Sequence, residues 1–398
     1  MKEQTKVLMF GWEFPPFNTG GLGTACYGLT KSLSEKGVSI KLVLPRPLPI
    51  QVDFLKCVST DFEVNIVNSI LQPYMANKEY SEVLSSQENP LFYGGSLIEE
   101  VLRYATKARG IAEKEEFDVI HAHDWLTFLA GIEAKKISNK PLIAHVHATE
   151  FDRTGGNGIN QYVYNIEKRG LEEADLIIAV SNFTKNKIVE HYGIDPDKIR
   201  VVHNGVEFSL YGATDIHPLN EYNKIVLFLG RITLQKGPDY FLYIAKRVLQ
   251  YYPNVIFIIA GTGDMEKFII NKSIELGISN RVLFAGFVRA EELEKVYKMA
   301  DAYVMPSVSE PFGITPLEAI TNGTPAIISK QSGVSEVLNH CLKSDFWDIE
   351  DMSDKIISIL EYDELADSLK ENGYQEVKKI NWGESAKKCI AVYDEILK

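Results

Sequence analysis

The sequence has only four cysteines, Cys26, Cys57, Cys341 and Cys389, and no two of them form a CxxC pair. That excludes a thiolate zinc centre and a disulfide-stapled fold, and it suits a reduced cytoplasm. No apolar run approaches the roughly 20 residues that a bilayer-spanning helix needs. The N-terminus, MKEQTKVLMFGW, has too short an apolar core for a signal peptide and carries Glu3 early. Basic charge is in deficit, with Lys+Arg at 42 against Asp+Glu at 54, a formal charge of -12. This argues against general nucleic-acid binding and against a wholly electrostatic membrane surface. There is no low-complexity segment, and no GxGxxG fingerprint follows the first strand.

What is present is an alternation of short apolar runs with amphipathic stretches, repeated in two series over 398 residues. The length fits about two domains. In the first series, a strand over Lys6–Gly11 leads into Asn18-Thr19-Gly20-Gly21-Leu22-Gly23. A helix follows with Leu22, Ala25, Cys26, Leu29 and Leu33 on one face, and then a strand over Ser39–Leu44. Residues 45–95 lack a clear period beyond a candidate strand at Glu63–Val67 and read as an insertion. The alternation resumes with a helix over 96–114, a strand over Phe117–His121 and a strand over Pro141–His147. Further strands fall at Asp175–Val180 and Lys198–Val202. Residues 207–222 read as a linker. The second series begins with the strand Lys224–Leu229, and a last helix near Trp382–Leu397 offers Ala386, Ile390, Tyr393 and Ile396 on one side. The expected fold is α/β, with two doubly wound parallel sheets. The expected domains are 1–206 and 223–380, with 381–398 a helix returning to the first.

The unusual clusters all fall just after expected strands, where open α/β sheets bind ligands. They are therefore expected to face one another across an interdomain cleft. The densest is Pro306–Gly323, PSVSEPFGITPLEAITNG. Glu310 sits in its loop, and Glu318 lies in the first turn of a helix entered at Thr315-Pro316. Glu318 could equally close a capping box on Thr315. Arg231 and Lys236 share the turn after Lys224–Leu229, and two cations beside a glycine turn suit a diphosphate. His121, His123, His145 and His147 lie at alternate positions on two strands, so four imidazoles could meet. Few carboxylates stand at ligand spacing, so we read these as satisfied histidines and expect no metal.

Taken together, the motifs resemble retaining glycosyltransferases with two Rossmann-like domains, the GT-B architecture. SEPFGITPLEA resembles their E-x7-E stretch, GRITLQKG their Arg…Lys turn and NTGGLG their first glycine loop. GWEFPP…GGLG, HAHDW, HATE and HNGVE together resemble the glycogen/starch synthase-like branch, of the family 4 type. The likeness spans nearly the whole chain outside 45–95. It implies that Glu310 contacts the donor sugar and Glu318 the ribose, while Arg231 and Lys236 hold the leaving diphosphate. It further assigns His147 to the donor sugar, Asp124 to the acid of the catalytic DW pair, Gly20 and Gly21 to a close backbone approach to phosphates or sugar, and Asn204 to the NG turn. Gly313, Ile314 and Thr315 would face sugar and phosphate, and Gly286 and Val288 the base. One departure is Asn18, where many glycogen synthases carry lysine.

The reaction so implied moves glucose from ADP- or UDP-glucose to an α-glucan with retention. It uses no cofactor, no metal, no nucleic acid and no membrane. Double displacement needs a second carboxylate roughly 5 Å from the first, and no second acid has a clear claim. A front-face reaction is therefore expected, with the leaving phosphate accepting the acceptor's proton. The alternatives are a small-sugar, sugar-phosphate or lipid-linked acceptor, or a nucleotide-sugar-binding protein without turnover.

Overall fold

The structure, a computed structural model, describes residues 4–15, 21–45, 97–156, 158–207 and 224–398. The expected strand at Glu63–Val67, Asn18, Gly20 and almost all of the insertion and linker lie outside these residues.

The chain divides into two compact units. The first carries a parallel sheet of β1 (Lys6–Phe10), β2 (Ser39–Val43), β3 (Val119–His123), β4 (Leu142–Val146), β5 (Leu176–Ala179) and β6 (Ile199–Val201). Its order is β2-β1-β3-β4-β5-β6. The second carries β7 (Lys224–Leu229), β8 (Val255–Ala260), β9 (Val282–Gly286), β10 (Ala302–Met305), β11 (Ala326–Ser329) and β12 (Leu342–Ser344), in the order β12-β11-β10-β7-β8-β9. Both sheets are doubly wound, as expected. In each, strand order reverses beside the first strand: between β1 and β3 in one sheet, and between β7 and β10 in the other.

The units depart from the sequence boundaries drawn above at one segment: residues Phe151–Gly158 group with the second unit, while Trp382–Lys398 group with the first. The helix Trp382–Ile396 buries Trp382, Ala386, Cys389, Val392 and Tyr393. Its apolar face therefore runs through Cys389 and Val392 rather than through Ile390 and Ile396. It packs on the helix Gly21–Glu35 at Gly28, where an added Cβ would stand 2.2 Å from the Trp382 ring.

Central strands buried on both faces read as unbroken apolar runs, and β8 (VIFIIA) is one. Phe228, Phe241 and Phe257 meet behind it with ring centroids 5.5 and 5.7 Å apart. Each such fully buried side chain contributes about 2 kcal/mol over exposure. The helix Pro238–Tyr251 starts where Gly237, at φ 66°, turns the chain and Pro238 fills a first-turn position. The β3 strand runs two residues further than expected. Asp118 is held at its start, accepting the Lys6 N–H at 2.8 Å, and pairing to β4 carries it through His123. Both His121 and His123 thus lie within the sheet.

Candidate functional site

In the second unit, three glycines let the strand-end turns lie directly against each other. A Cβ on Gly261 would be 1.8 Å from the Gly230 carbonyl oxygen, and one on Gly263 2.3 Å from that of Ile232. A Cβ on Gly237 would be 2.3 Å from the Pro306 oxygen, and the Val308 N–H donates to the Gln235 oxygen at 3.0 Å. The turn after β7 is thereby laced to the turns after β8 and β10. These three are adjacent strands at the reversal of strand order, where doubly wound sheets bind ligands.

That lacing brings Lys236 and Glu310 together. Lys236 Nζ lies 2.5 Å from Glu310 Oε2, and Ser307 Oγ donates to the same oxygen at 3.2 Å. The Glu310 backbone is pinned as well. Its N–H donates to the Gln331 oxygen at 2.9 Å, and its carbonyl accepts the Gly333 N–H at 2.9 Å. Glu310 is 6% exposed, so it is not the solvated loop acid that its position between Ser309 and Pro311 could suggest. Arg231, half-buried, directs its guanidinium to Gln235 Oε1 at 3.4 Å. Gly313, at φ 101°, turns the chain beneath Glu310, where a Cβ would approach Glu310 Cγ at 3.1 Å.

The helix after Gly313 and Ile314 covers only Thr315–Thr321, so its dipole is short. The capping box suggested by Thr315 and Glu318 does not form. Ile314 stands at the cap without a side-chain bond. Thr315 Oγ1 lies 2.7 Å from the Tyr303 hydroxyl, and Glu318 Oε2 accepts the Tyr297 hydroxyl at 2.8 Å. Burial raises the Glu318 carboxyl above its ordinary value, and the Tyr297 hydrogen bond opposes that rise. Gly286 ends β9 at φ 68°, with its carbonyl accepting the Gly261 N–H at 2.7 Å, and Val288 is half-buried just beyond it. The edge strand β9 lies three strands from β10, roughly 14 Å at the usual spacing. Gly286 and Val288 are thus set apart from Glu310 along one line of strand ends.

In the first unit, the four histidines do meet. His121 Nε2 lies 3.1 Å from His145 Nδ1, and His123 Nδ1 lies 2.8 Å from His147 Nε2. His121 Nδ1 lies 2.7 Å from the Tyr393 hydroxyl on the last helix. Burial is the largest cause lowering all four imidazoles, with His121 and His147 brought down to about 3. They are neutral at ordinary pH. Ligand nitrogens of His121, His123 and His145 come within 4.8 Å of one another. However, His121 and His123 are stacked, with planes 15° apart and centroids 4.4 Å apart. An imidazole lone pair lies in its ring plane, so one ion about 2 Å from each nitrogen cannot lie in both planes. The arrangement is a stacked column that is only partly hydrogen-bonded: contrary to the expectation of satisfied histidines, His123 Nε2, His145 Nε2 and His147 Nδ1 are buried without a hydrogen-bond partner among the described residues.

Asp124 stands at φ 58° just after β3, and its Oδ1 accepts the backbone N–H groups of His147 at 2.6 Å and Ala148 at 3.3 Å. Its carboxylate fixes the chain leaving β4. Gly21 opens its helix with nothing within 4 Å of where a Cβ would be. Asn204 is buried.

Several contributors were not singled out as site residues from the sequence. Glu13, buried, accepts the Gly23 N–H at 2.9 Å and so fixes the start of the first helix. Asp152, fully buried, accepts Ser309 Oγ at 2.6 Å, directly before Glu310. Tyr297, Tyr303 and Tyr393 supply buried hydroxyls. An acid just before a glycine turn was a usable signal for Glu13. The others depend on pairings across long stretches of sequence.

The two doubly wound units give the GT-B architecture, and the matches of both halves to glycosyltransferase models make the protein a glycosyltransferase of the hexosyltransferase class. Residues 19–210 match the model described as Glycosyltransferase Family 4, and residues 213–376 match Glycosyl transferases group 1. The protein is thus built of a family 4 type domain followed by a group 1 domain. It is similar to an uncharacterized glycosyltransferase of Methanocaldococcus jannaschii, 29% identical over 98% of this chain and 97% of that one. It is also similar to a glycogen synthase of Mycobacterium tuberculosis, 28% identical over 84% and 80%. Among solved structures, sucrose-phosphate synthase of Thermosynechococcus elongatus matches with TM-score 0.77 and 19% identity over 99% of both chains. Anabaena HepE in complex with UDP-glucose matches with TM-score 0.70 and 17% identity over 98% and 100%. No helix among the described residues is long and apolar enough to cross a membrane.

Proposed function

We propose that the protein transfers glucose from a nucleoside diphosphate sugar, ADP- or UDP-glucose, to the non-reducing end of an α-glucan, with retention. The observation that carries this reading is the Lys236–Glu310 pair beside Arg231, held at the strand-order reversal of the second sheet by backbone-to-backbone packing. A rigid cation and acid, next to a second cation, suit a sugar diphosphate. The cations offset charge on the leaving phosphate, and the acid receives the sugar hydroxyls. Glu310 already accepts from Lys236 and Ser307, which supports reading it as an orienting group and not as a free nucleophile. That favours the front-face reaction over double displacement.

In this reading Glu318 receives the ribose, Gly286 and Val288 flank the base, and Gly313, Ile314 and Thr315 line the phosphate end. His147 is assigned to the donor sugar, Asp124 is the acid of the DW pair, and Gly20, Gly21 and Asn204 keep the donor-binding roles that the resemblance implies. The glycogen synthase relative supports the glucan acceptor, and the UDP-glucose complex of the structural neighbour supports the donor class.

The test is a donor screen with ADP-glucose and UDP-glucose against glycogen, maltose and glucose 1-phosphate, reading released nucleoside diphosphate. Release that depends on glycogen or maltose supports the reading. Release that depends only on the sugar phosphate moves the acceptor to that class.

A further inference from the structure

We propose that Tyr297 is a positioning residue for the nucleotide, holding the Glu318 carboxylate so that one oxygen stays turned toward the ribose hydroxyls. This rests on the reading above that Glu318 receives the ribose, and it adds a residue that no motif points to.

Tyr297 closes the turn before β10 from the helix Ala290–Lys298, and it is 1% exposed. Its backbone is anchored independently, since its carbonyl accepts Thr324 Oγ1 at 2.6 Å. Its ring packs edge-on against Tyr303, with centroids 6.0 Å apart and planes at 66°. The hydroxyl therefore cannot drift, and it donates to Glu318 Oε2 at 2.8 Å. Glu318 Oε1 makes no hydrogen bond among the described residues. A half-buried carboxylate with one oxygen held by a fixed donor has fewer accessible rotamers, so a vicinal diol that binds it meets a better-ordered acceptor.

The hydroxyl also bears on charge. Burial favours the neutral acid at Glu318, and a donor to its ionised form opposes this. Tyr303 on β10 also faces the Glu318 charge, as it does that of Glu310. Removing the Tyr297 hydroxyl moves Glu318 protonation toward neutral pH. A protonated Glu318 loses acceptor capacity toward the ribose.

The experiment is titration of UDP and ADP against wild type, Tyr297→Phe and Glu318→Gln from pH 6 to 8.5, with thermal melting of each. Tyr297→Phe keeps the ring and removes only the donor. The expected result is that it binds the preferred diphosphate about tenfold more weakly near neutral pH, the effect of losing a hydrogen bond to a charged group. Its affinity should also start to fall at a higher pH than that of wild type. Glu318→Gln should weaken binding with no pH dependence of its own. If Tyr297→Phe keeps wild-type affinity and pH profile while Glu318→Gln weakens binding, the positioning role is overturned and the ribose assignment stands. A lower melting temperature with an unshifted pH profile overturns it too. If Glu318→Gln binds like wild type, the ribose assignment itself falls, and this inference with it.

Discussion

Acid should unfold the first unit through its histidine column, and the size of the effect can be worked out. His121 and His147 sit at about 3 in the folded protein because burial removes the water that would solvate their charge. In the unfolded chain they return to about 6.5. A folded value below the unfolded one means that the unfolded state binds more protons between the two. Stability is therefore full above about 6.5 and is lost as pH falls toward 3. At pH 5.5 each of these histidines costs about 1.4 kcal/mol, so the two together cost about 3 kcal/mol. His123 and His145 shift in the same direction from the same cause. They add to the loss in the same sense, against a whole domain stability of about 5–15 kcal/mol. Trp12, Trp125 and Trp382 are buried in this unit, so urea unfolding followed by tryptophan fluorescence from pH 7.5 to 5.5 reads it directly. His121→Phe should flatten the dependence by about 1.4 kcal/mol per pH unit below 6.5, whatever its own stability at pH 7.5. A stability that stays level down to pH 5.5, or a variant with an unchanged slope, would refute the reasoning.

Three further outcomes follow from the geometry. Lys236→Ala and Glu310→Gln should each lower turnover by about 100-fold or more, as loss of one preorganised polar group does, while the fold persists by circular dichroism. Gly261→Ala forces a Cβ into the Gly230 carbonyl at 1.8 Å and should cost the second unit at least about 3 kcal/mol in urea unfolding. Gly28→Val should displace Trp382, whose ring lies where the new side chain would go. The expected readout is a red-shifted tryptophan emission with the second unit's unfolding unchanged.

The sheet architecture was legible because each strand is a short apolar run ending in a glycine or polar cluster, and each crossover helix carries a one-sided apolar face. Arg231, Lys236 and Glu310 stood out in the sequence as candidates because each follows such a strand, although nothing local said that Lys236 would pair with Glu310. That contact depends on Gly237 allowing the Pro306 carbonyl to within van der Waals distance. The capping box at Thr315 misread a local pattern. The Tyr297 and Tyr303 hydroxyls, from other elements, claim both side chains instead. The histidine column was half legible, since alternation placed the rings on one face. The orientation of those rings, which decides between stacking and ligation, is set by packing and by Tyr393, distant in sequence. The grouping of Phe151–Gly158 with the second unit had no local signal, because it involves residues distant in sequence, among them Ser309, which donates to the buried Asp152, and Leu234 and Val308, which lie beside Gly155.

The placement of Trp382–Lys398 in the first unit has a consequence for how the chain is made. Its amino-terminal half reaches the ribosome exit long before the segment that covers it. Until that tail emerges, Gly28 faces no indole and His121 lacks its tyrosine. The first unit to be synthesised is thus the last that can finish folding, and a nascent chain stalled before residue 382 would carry an uncovered apolar helix and an open histidine column.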